Sequence, residues 1–223
     1  MWSAIAIVAG LGARTAWRLH ESAELVRLSR PLQRAPVQPL RRLLMVGDST
    51  AVGTGATTPE ASMAGRLGRQ FADLLEQLAT DEHFDMVLVM AGGNDVVRMR
   101  GLAALQGDIE RVLHRARQKA AVVVLMPAGN VGNAPFFFPP VSWLMTWRSR
   151  RLHAFASAAA QHHGVVLVNL FREAADDPFV RQPSLNARDG LHPSDAGYGV
   201  WFDELTTQAA LSQRLAAAAA ESH

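Results

Sequence analysis

The sequence contains no cysteine, which excludes a disulfide framework and any metal site built on thiolates. It contains a single lysine, Lys119, so its basic isoelectric point of about 9.9 reflects arginine. The formal net charge is only +2, and this balance gives no indication of nucleic-acid binding. The absence of cysteine is compatible with any cellular compartment.

The chain also lacks an apolar run long enough to cross a membrane. Residues 2–11 are apolar, but Arg14 interrupts them after about ten residues, whereas a spanning helix needs about 20. The segment has neither a basic start nor a clear cleavage site, so it is a poor signal peptide. Two interpretations of residues 1–30 remain open: an interfacial helix on anionic lipid, or a helix packed on the domain's own surface.

Three prolines follow this segment and indicate a linker into the main domain. We therefore divide the chain into an arm and linker (1–40), a domain (41–215) and a frayed tail (216–223). Peripheral contact with a membrane through residues 1–30 would place the protein at a membrane or in the cytoplasm. A periplasmic location through an uncleaved anchor is the alternative.

The 223 residues, 49% of them hydrophobic, suffice for one α/β domain with a full core. Apolar runs alternate with segments of helical periodicity, which predicts parallel strands joined by right-handed crossovers. Strands are predicted at about 42–47, 86–91, 121–126 and 165–170, and helices at 62–80, 102–118, 142–163 and 195–220. In the third of these helices we expect Arg148, Arg150 and Arg151 to point outward.

The first strand ends abruptly at Gly47-Asp48-Ser49-Thr50. In open α/β sheets the carboxyl end of a strand is where ligands bind, so Ser49 lies where a nucleophile could be exposed. The short polar side chains could equally cap or turn the backbone. A phosphate-binding loop is excluded because no Gly-Lys-Ser/Thr follows, and the third glycine of a dinucleotide fingerprint is missing.

Near the other end of the chain, Asp189 precedes His192 by three residues in a segment rich in turn formers. An activated serine needs a base within hydrogen-bond reach, and the base needs a partner on its second ring nitrogen. One short Asp-x-x-His loop can supply both. Taken alone, His192 could also be an exposed loop histidine.

Between these segments, the second predicted strand ends at Gly92-Gly93-Asn94-Asp95. The side-chain amide of Asn94 could donate a hydrogen bond to a developing oxyanion at the same sheet edge as Ser49. Capping a helix or turn is the alternative for Asn94. Each of these three polar sites suits one role in acyl transfer. Coincidence is therefore a weaker explanation for all three together than for any one of them alone.

These three motifs, in this order, resemble three of the four blocks of the SGNH (GDSL) hydrolase family. The resemblance spans about residues 41–210. It implies a three-layer, flavodoxin-like α/β fold and hydrolysis of esters without a cofactor. It further implies Ser49 as nucleophile, His192 as base, Asp189 as the acid that orients it, and Asn94 as an oxyanion donor.

The family's remaining block is irregular in this chain. That block normally supplies a glycine whose N–H joins the oxyanion hole, after a second strand. Here residues 62–80 have the pattern of almost one continuous helix. Gly68 is our candidate for the oxyanion-hole glycine, beside Asn94 and the Ser49 amide. We expect no regular strand between 51 and 84. If Gly68 lies inside a continuous helix its N–H is consumed, whereas a helix start there would leave it free.

Further residues are expected around the substrate at the same edge of the sheet. An aromatic and proline-rich loop before the third helix could form the wall of an acyl pocket or a lid, or its phenylalanines could pack as ordinary core. No metal site is predicted, because His153, His162 and His163 lack acidic companions at ligand spacing. The substrate-contacting candidates are Asp48, Thr50, Gly93, Asn130, Phe136, Phe137 and Phe138.

Two functions from different classes follow from these residues. The first is a serine esterase or lipase for a small acyl or lipid-like ester. The second is a non-catalytic or weakly active binding domain on the same scaffold, because the block around Gly68 is damaged. The sequence gives no indication of the oligomeric state.

Overall fold

The computed structural model describes residues 2–32, 42–70, 84–214 and 217. Four parallel strands form one sheet in the order β1-β2-β3-β4. Their bounds agree with the predicted strands, except that β4 is shorter than expected. They are β1 Leu43–Gly47, β2 Phe84–Met90, β3 Ala120–Leu125 and β4 Val166–Leu167.

The helices lie between these strands and at both ends of the chain. They are α1 Trp2–Leu28, α2 Ser49–Val52, α3 Met63–Gln70, α4 Gly93–Val97, α5 Leu102–Arg117, α6 Val141–His163, α7 Pro178–Arg181 and α8 Asp195–Ala209. The final helix is shorter than the predicted 195–220, because Ala210 adopts a left-handed conformation and ends it. Between β1 and residue 70 the described chain is helical or irregular, and the rest of the predicted helix 62–80 lies outside the described residues.

The sheet separates two apolar layers because successive strand residues point to opposite faces. On one face, Met86 and Leu88 pack in a buried cluster with residues of α3 and α8. On the other face, Val87 and Val89 pack with residues of α5 and α6. This three-layer α/β arrangement is the predicted fold class.

Arg148 corrects one expectation about the surface. It was expected to point outward from α6, but it is 95% buried. Its guanidinium donates to the backbone carbonyls of Val96, Asp95 and Arg100, the first at 3.1 Å. The first two carbonyls lie in the last turn of α4 and also accept from the Met99 and Arg100 amides, and the third lies just beyond the helix. Arg148 therefore fixes the short helix that carries Asn94.

We predict that Arg148→Met lowers the free energy of unfolding by about 2–3 kcal/mol, because it removes the charged donor that joins three backbone carbonyls of residues 95–100 to α6. Urea denaturation measures the change. Arg150→Met is the matched control on the same helix, since the contacts of Arg150 with Glu173 and with the Phe171 ring are exposed. It should lose less than about 1 kcal/mol, and equal losses in the two variants would contradict the capping role.

The second half of helix α1 and Ser29, the residue after it, contact the domain. The hydroxyl oxygens of Ser29 and Thr54 are 2.9 Å apart, and Glu21 pairs with Arg188 at 2.7 Å. Of the two interpretations of residues 1–30, these contacts favour the helix packed on the domain surface. No helix in the described part of the chain is long and apolar enough to cross a membrane. Contact with a membrane surface stays a prediction.

Candidate active site

The turn after β1 presents Ser49 at the carboxyl edge of the sheet. The Asp48 N–H continues the pairing with β2 by donating to the Met90 carbonyl at 3.1 Å. A side chain at Gly47 would collide with that carbonyl, since an added Cβ would lie 1.7 Å from its oxygen. The Asp48 carboxylate then caps α2 by accepting from the Thr50 amide at 3.1 Å. Ser49 thus becomes the first residue of a short helix.

A second loop, residues 186–193, is hereafter the Asp–His loop. It is closed by an antiparallel bridge between Asn186 and Pro193 and by a 2.7 Å hydrogen bond from the Ala187 amide to the His192 carbonyl. Gly190, with φ of +71°, makes the sharp turn inside it. These constraints fold Asp189 and His192 towards each other.

The two segments meet in a hydrogen-bonded chain. Ser49 Oγ lies 3.0 Å from His192 Nε2, and His192 Nδ1 lies 2.6 Å from Asp189 Oδ2. Asp189 is completely buried and His192 is 94% buried. With Nδ1 donating to the carboxylate, Nε2 is left to accept the serine proton. The structure therefore brings together the three residues that the sequence suggested for acyl transfer.

The environment of Asp189 favours its ionised form. Burial acts to raise the pKa of this carboxyl, but hydrogen bonding and the charge of His192 act against it, together with the amides of Leu191 and His192. The net effect lowers the pKa of Asp189 below its ordinary value of 3.8. A permanently charged carboxylate suits a residue that must stabilise an imidazolium.

This depressed pKa predicts a specific dependence of stability on pH. Because the folded state favours the carboxylate, Asp189 stabilises the fold above its unfolded pKa, and the contribution disappears as the pH falls through the folded pKa. The advantage of the wild type over Asp189→Asn should therefore shrink from about pH 5 downward. Urea midpoints of both proteins between about pH 6 and pH 3 measure it, and a constant difference would contradict the prediction.

Two groups can donate to an oxyanion beside Ser49. The Ser49 amide is at the start of α2, and it has no hydrogen-bond partner among the described residues. The Asn94 side chain faces the same cleft, and its amide is likewise unengaged within the described chain. The Asn94 backbone N–H is 3.4 Å from the Asp48 carboxylate, which ties the two strand ends together.

Gly68 does not join them. It lies inside α3, so its N–H belongs to the helical ladder and points to the carbonyl four residues back. The structure contradicts the expectation that Gly68 donates to an oxyanion. The physical reason is the one foreseen for a continuous helix: the amide is already used.

Tyr198, the only tyrosine in the chain, is a supporting residue that the sequence did not point to. It is fully buried in α8, and its hydroxyl donates to the Thr54 carbonyl at 2.8 Å and lies 3.3 Å from that of Thr50. Burial raises the pKa of Tyr198, with help from the charges of Asp48 and Asp189, so the hydroxyl stays a donor. The only available signal was an apolar helix face shared with Leu205, seven residues on.

A cleft of about 920 Å³, including its open mouth, lies over Ser49 and His192. Four predicted substrate contacts line it, namely Asp48, Thr50, Gly93 and Asn130. The Asn130 side chain is hydrogen bonded within the protein: its oxygen accepts from the Gly132 amide at 3.1 Å, and its nitrogen donates to the Arg172 carbonyl at 3.2 Å. Asn130 therefore shapes the wall.

The three phenylalanines of the aromatic loop do not line this cleft. Phe137 packs against a buried cluster that contains Val96, and Phe136 contacts Phe137 edge-on at 4.9 Å. Phe138 lies beneath the Arg14 guanidinium, 5.8 Å from ring centre to Cζ. The expectation of an acyl-pocket wall is corrected in favour of its alternative, packing. The loop instead supports the site, because the Phe136 amide donates to the Gly190 carbonyl at 2.9 Å.

The expectation about the histidines needs one correction. Glu110 of α5 is an acidic companion, 2.6 Å from His163 and 3.2 Å from His162. The three side chains could share a metal ion, since their donor atoms lie within 4.8 Å of one another. They lie outside the cleft lining, and hydrogen bonding to His162 and His163 lowers the pKa of Glu110, as in an ion-pair cluster. His153 is engaged by the Ala128 carbonyl at 2.8 Å.

Comparison with solved structures gives the same fold at low identity. The lipase/acylhydrolase from Enterococcus faecalis is 20% identical with a TM-score of 0.54, covering 75% of this chain and 94% of that one. A lipolytic protein of the G-D-S-L family from Veillonella parvula is 12% identical with a TM-score of 0.58, covering 74% and 96%. An acetylxylan esterase from Geobacillus stearothermophilus is 18% identical with a TM-score of 0.53, covering 78% and 96%.

Comparison with curated proteins gives no match. The sequence model of the GDSL-like lipase/acylhydrolase family matches residues 64–200, more than half of the 223. This range contains Asn94, Asp189 and His192, and Ser49 precedes it. With the matching fold of the G-D-S-L protein above, the chain belongs to the GDSL-like lipase/acylhydrolase family of hydrolases.

Proposed function

We propose that the protein is a serine esterase that cleaves carboxylic esters through a covalent acyl-enzyme. The observation that carries this proposal is the hydrogen-bonded chain from Ser49 Oγ to His192 at 3.0 Å and from His192 to Asp189 at 2.6 Å. Chains of this kind activate a serine that is otherwise a weak nucleophile. Family membership supports hydrolase chemistry independently of these distances.

In the proposed first step, Ser49 Oγ attacks the ester carbonyl carbon while His192 Nε2 takes the hydroxyl proton. Asp189 stabilises the resulting imidazolium through Nδ1. The carbonyl oxygen becomes an oxyanion held by the Ser49 amide and Asn94. Collapse expels the alcohol, which receives the proton from His192. Water then repeats the sequence on the acyl-enzyme, with His192 as base, and releases the acid and free Ser49.

The oxyanion hole we propose has two donors, the Ser49 amide and Asn94. Removal of one preorganised donor typically costs about 3 kcal/mol, or roughly a hundredfold or more in rate. With Gly68 inside α3, we expect a turnover below that of an enzyme with three donors. We expect the arrangement to support ester hydrolysis, because the proposed base lies within hydrogen-bond reach of the proposed nucleophile.

The lining of the cleft favours small esters. Apolar side chains such as Val97, Leu170 and Leu191 share it with the charged groups of Arg172, Asp177 and Glu204. A long acyl chain laid across the partly exposed Arg172–Glu204 pair would strip its water without replacing it. We therefore propose a short acyl group on a polar alcohol over a long-chain lipid, and acetyl esters belong in the first panel.

One observation supports the alternative function, a binding domain. The described chain gives the oxyanion only two donors, and a scaffold that has lost catalysis could still bind a small ligand in the same cleft. Labelling with a fluorophosphonate separates the two functions, because only an activated serine reacts rapidly. Rapid, stoichiometric labelling supports the esterase. A folded wild type that is not labelled would support the binding-domain function.

We predict that Ser49→Ala and His192→Ala each lower kcat/KM for a short-chain ester at least about a thousandfold, because neither group acts without the other. Asp189→Asn should have a similar or smaller effect. Steady-state hydrolysis of p-nitrophenyl acetate measures it. Ser157→Ala and His114→Ala, both exposed positions, serve as matched controls and should keep wild-type turnover. Wild-type turnover in purified Ser49→Ala would refute the mechanism.

Asn94→Ala should lower kcat about a hundredfold to a thousandfold with a smaller change in KM, because its amide acts on the transition state. The same ester assay separates the two constants. Gln118→Ala, an exposed amide on the surface, is the control. A change confined to KM would assign Asn94 to substrate binding instead.

A further inference from the structure

Helix α1 reaches the Asp–His loop directly. Arg18 Nη1 donates to the backbone carbonyl of Asp189 at 3.0 Å. The guanidinium also fills the space beside Gly190, where an added Cβ would lie 1.9 Å from Arg18 Nη1. One turn further along the helix, Glu21 pairs with Arg188 at 2.7 Å. Three consecutive residues of the loop are therefore contacted by one face of α1.

These contacts act on the part of the loop that determines the position of Asp189. The Asp189 carboxylate has its own partners in His192 and the loop amides, but its backbone carbonyl receives its hydrogen bond from Arg18. The next carbonyl, that of Gly190, accepts from the Phe136 amide at 2.9 Å. The left-handed turn at Gly190 is thus held from two sides, by α1 and by the aromatic loop.

Ser29, the residue directly after α1, contacts the segment that follows Ser49. The hydroxyls of Ser29 and Thr54 are hydrogen bonded at 2.9 Å, and Thr54 is buried beside the end of the Ser49 turn. The Thr54 amide donates to the Ser49 carbonyl at 2.9 Å. Helix α1 and the residue that follows it therefore contact both halves of the candidate site.

We propose that Arg18 is a positioning residue for ester hydrolysis and that α1 holds the Asp–His loop in register with the Ser49 turn. The inference rests on the proposed function. Arg18 does not belong to the cleft lining, so it acts through Asp189 and not on the substrate. Small displacements matter here, because a misplacement of about 1 Å can lower a rate about a hundredfold.

The test compares Arg18→Ala and Arg18→Lys with Arg27→Ala in the full-length protein. We expect Arg18→Ala to lower kcat about tenfold to a hundredfold with KM within about twofold. Arg18→Lys should recover part of kcat, since an ammonium group can still donate to the Asp189 carbonyl. Arg27→Ala should match the wild type, because Arg27 pairs only with Glu24 of its own helix.

A spectroscopic measurement reports on position without turnover. The proton of the 2.6 Å His192–Asp189 hydrogen bond should give a resolved downfield NMR signal in the wild type. In Arg18→Ala this signal should weaken or shift, and in Arg27→Ala it should not. A variant that had only lost global stability would keep the signal at a temperature well below its unfolding transition.

Each outcome decides the inference. Unchanged kcat and an unchanged downfield signal in folded Arg18→Ala would overturn it. If Arg18→Ala does not fold, Arg188→Ala tests the same docking at an exposed position, where a severalfold loss of kcat supports the inference and no loss overturns it. A wild type that fails to hydrolyse esters or to react with fluorophosphonate would refute the proposed function instead, and the NMR comparison would still test the positioning.

Discussion

The buried carboxylate of Asp189 is the constraint on which the rest of the candidate site depends. A charge taken completely out of water is tolerable only when its oxygens are paired. Here the imidazole of His192 and two backbone amides supply the partners, and those amides belong to the same loop. The loop must therefore hold one conformation, and its closing bridge, the turn at Gly190 and the support from Phe136 all serve that requirement.

The parallel sheet supplies the other half of the geometry. Because its strands run in one direction, their carboxyl ends meet at one edge, and Ser49 and Asn94 come together although 45 residues separate them. Among the described strands, β1 lies at the end of the order beside β2 only. In the flavodoxin-like order a second strand would lie beyond β1, and the oxyanion glycine would follow it. The helical position of Gly68 makes its amide unavailable to an oxyanion and leaves the turn at Ser49, the proposed nucleophile, undisturbed.

The sequence allowed the strands and the fold class to be predicted, because each depends on local pattern. The grouping of Ser49 with His192 and Asp189 was predicted from short motifs that resemble those of a known family. The errors concern partners that are distant in sequence. Arg148 looks exposed on a polar stretch, yet it is buried and donates to three backbone carbonyls in and just beyond α4. Likewise, Glu110 meets His162 and His163 only after α5 packs on α6. The prediction that the phenylalanines of the aromatic loop line an acyl pocket rests on their hydrophobicity alone. Hydrophobicity does not distinguish a pocket wall from packing beneath a loop.

Docking of α1 connects the surface of the protein to the proposed chemistry. The helix exposes large apolar side chains, among them Trp17 and Leu19, while the intervening Arg18 turns inward to Asp189. Its contacts with the domain, among the residues that the structure describes, include the Arg18 hydrogen bond, the Glu21–Arg188 ion pair and the Arg14–Phe138 ring contact, and each contributes little by itself. If the loop is in register only while α1 is docked, the observed kcat scales with the docked fraction. Any surface that binds the exposed face of the docked helix more tightly than the undocked one would then raise that fraction and turnover with it.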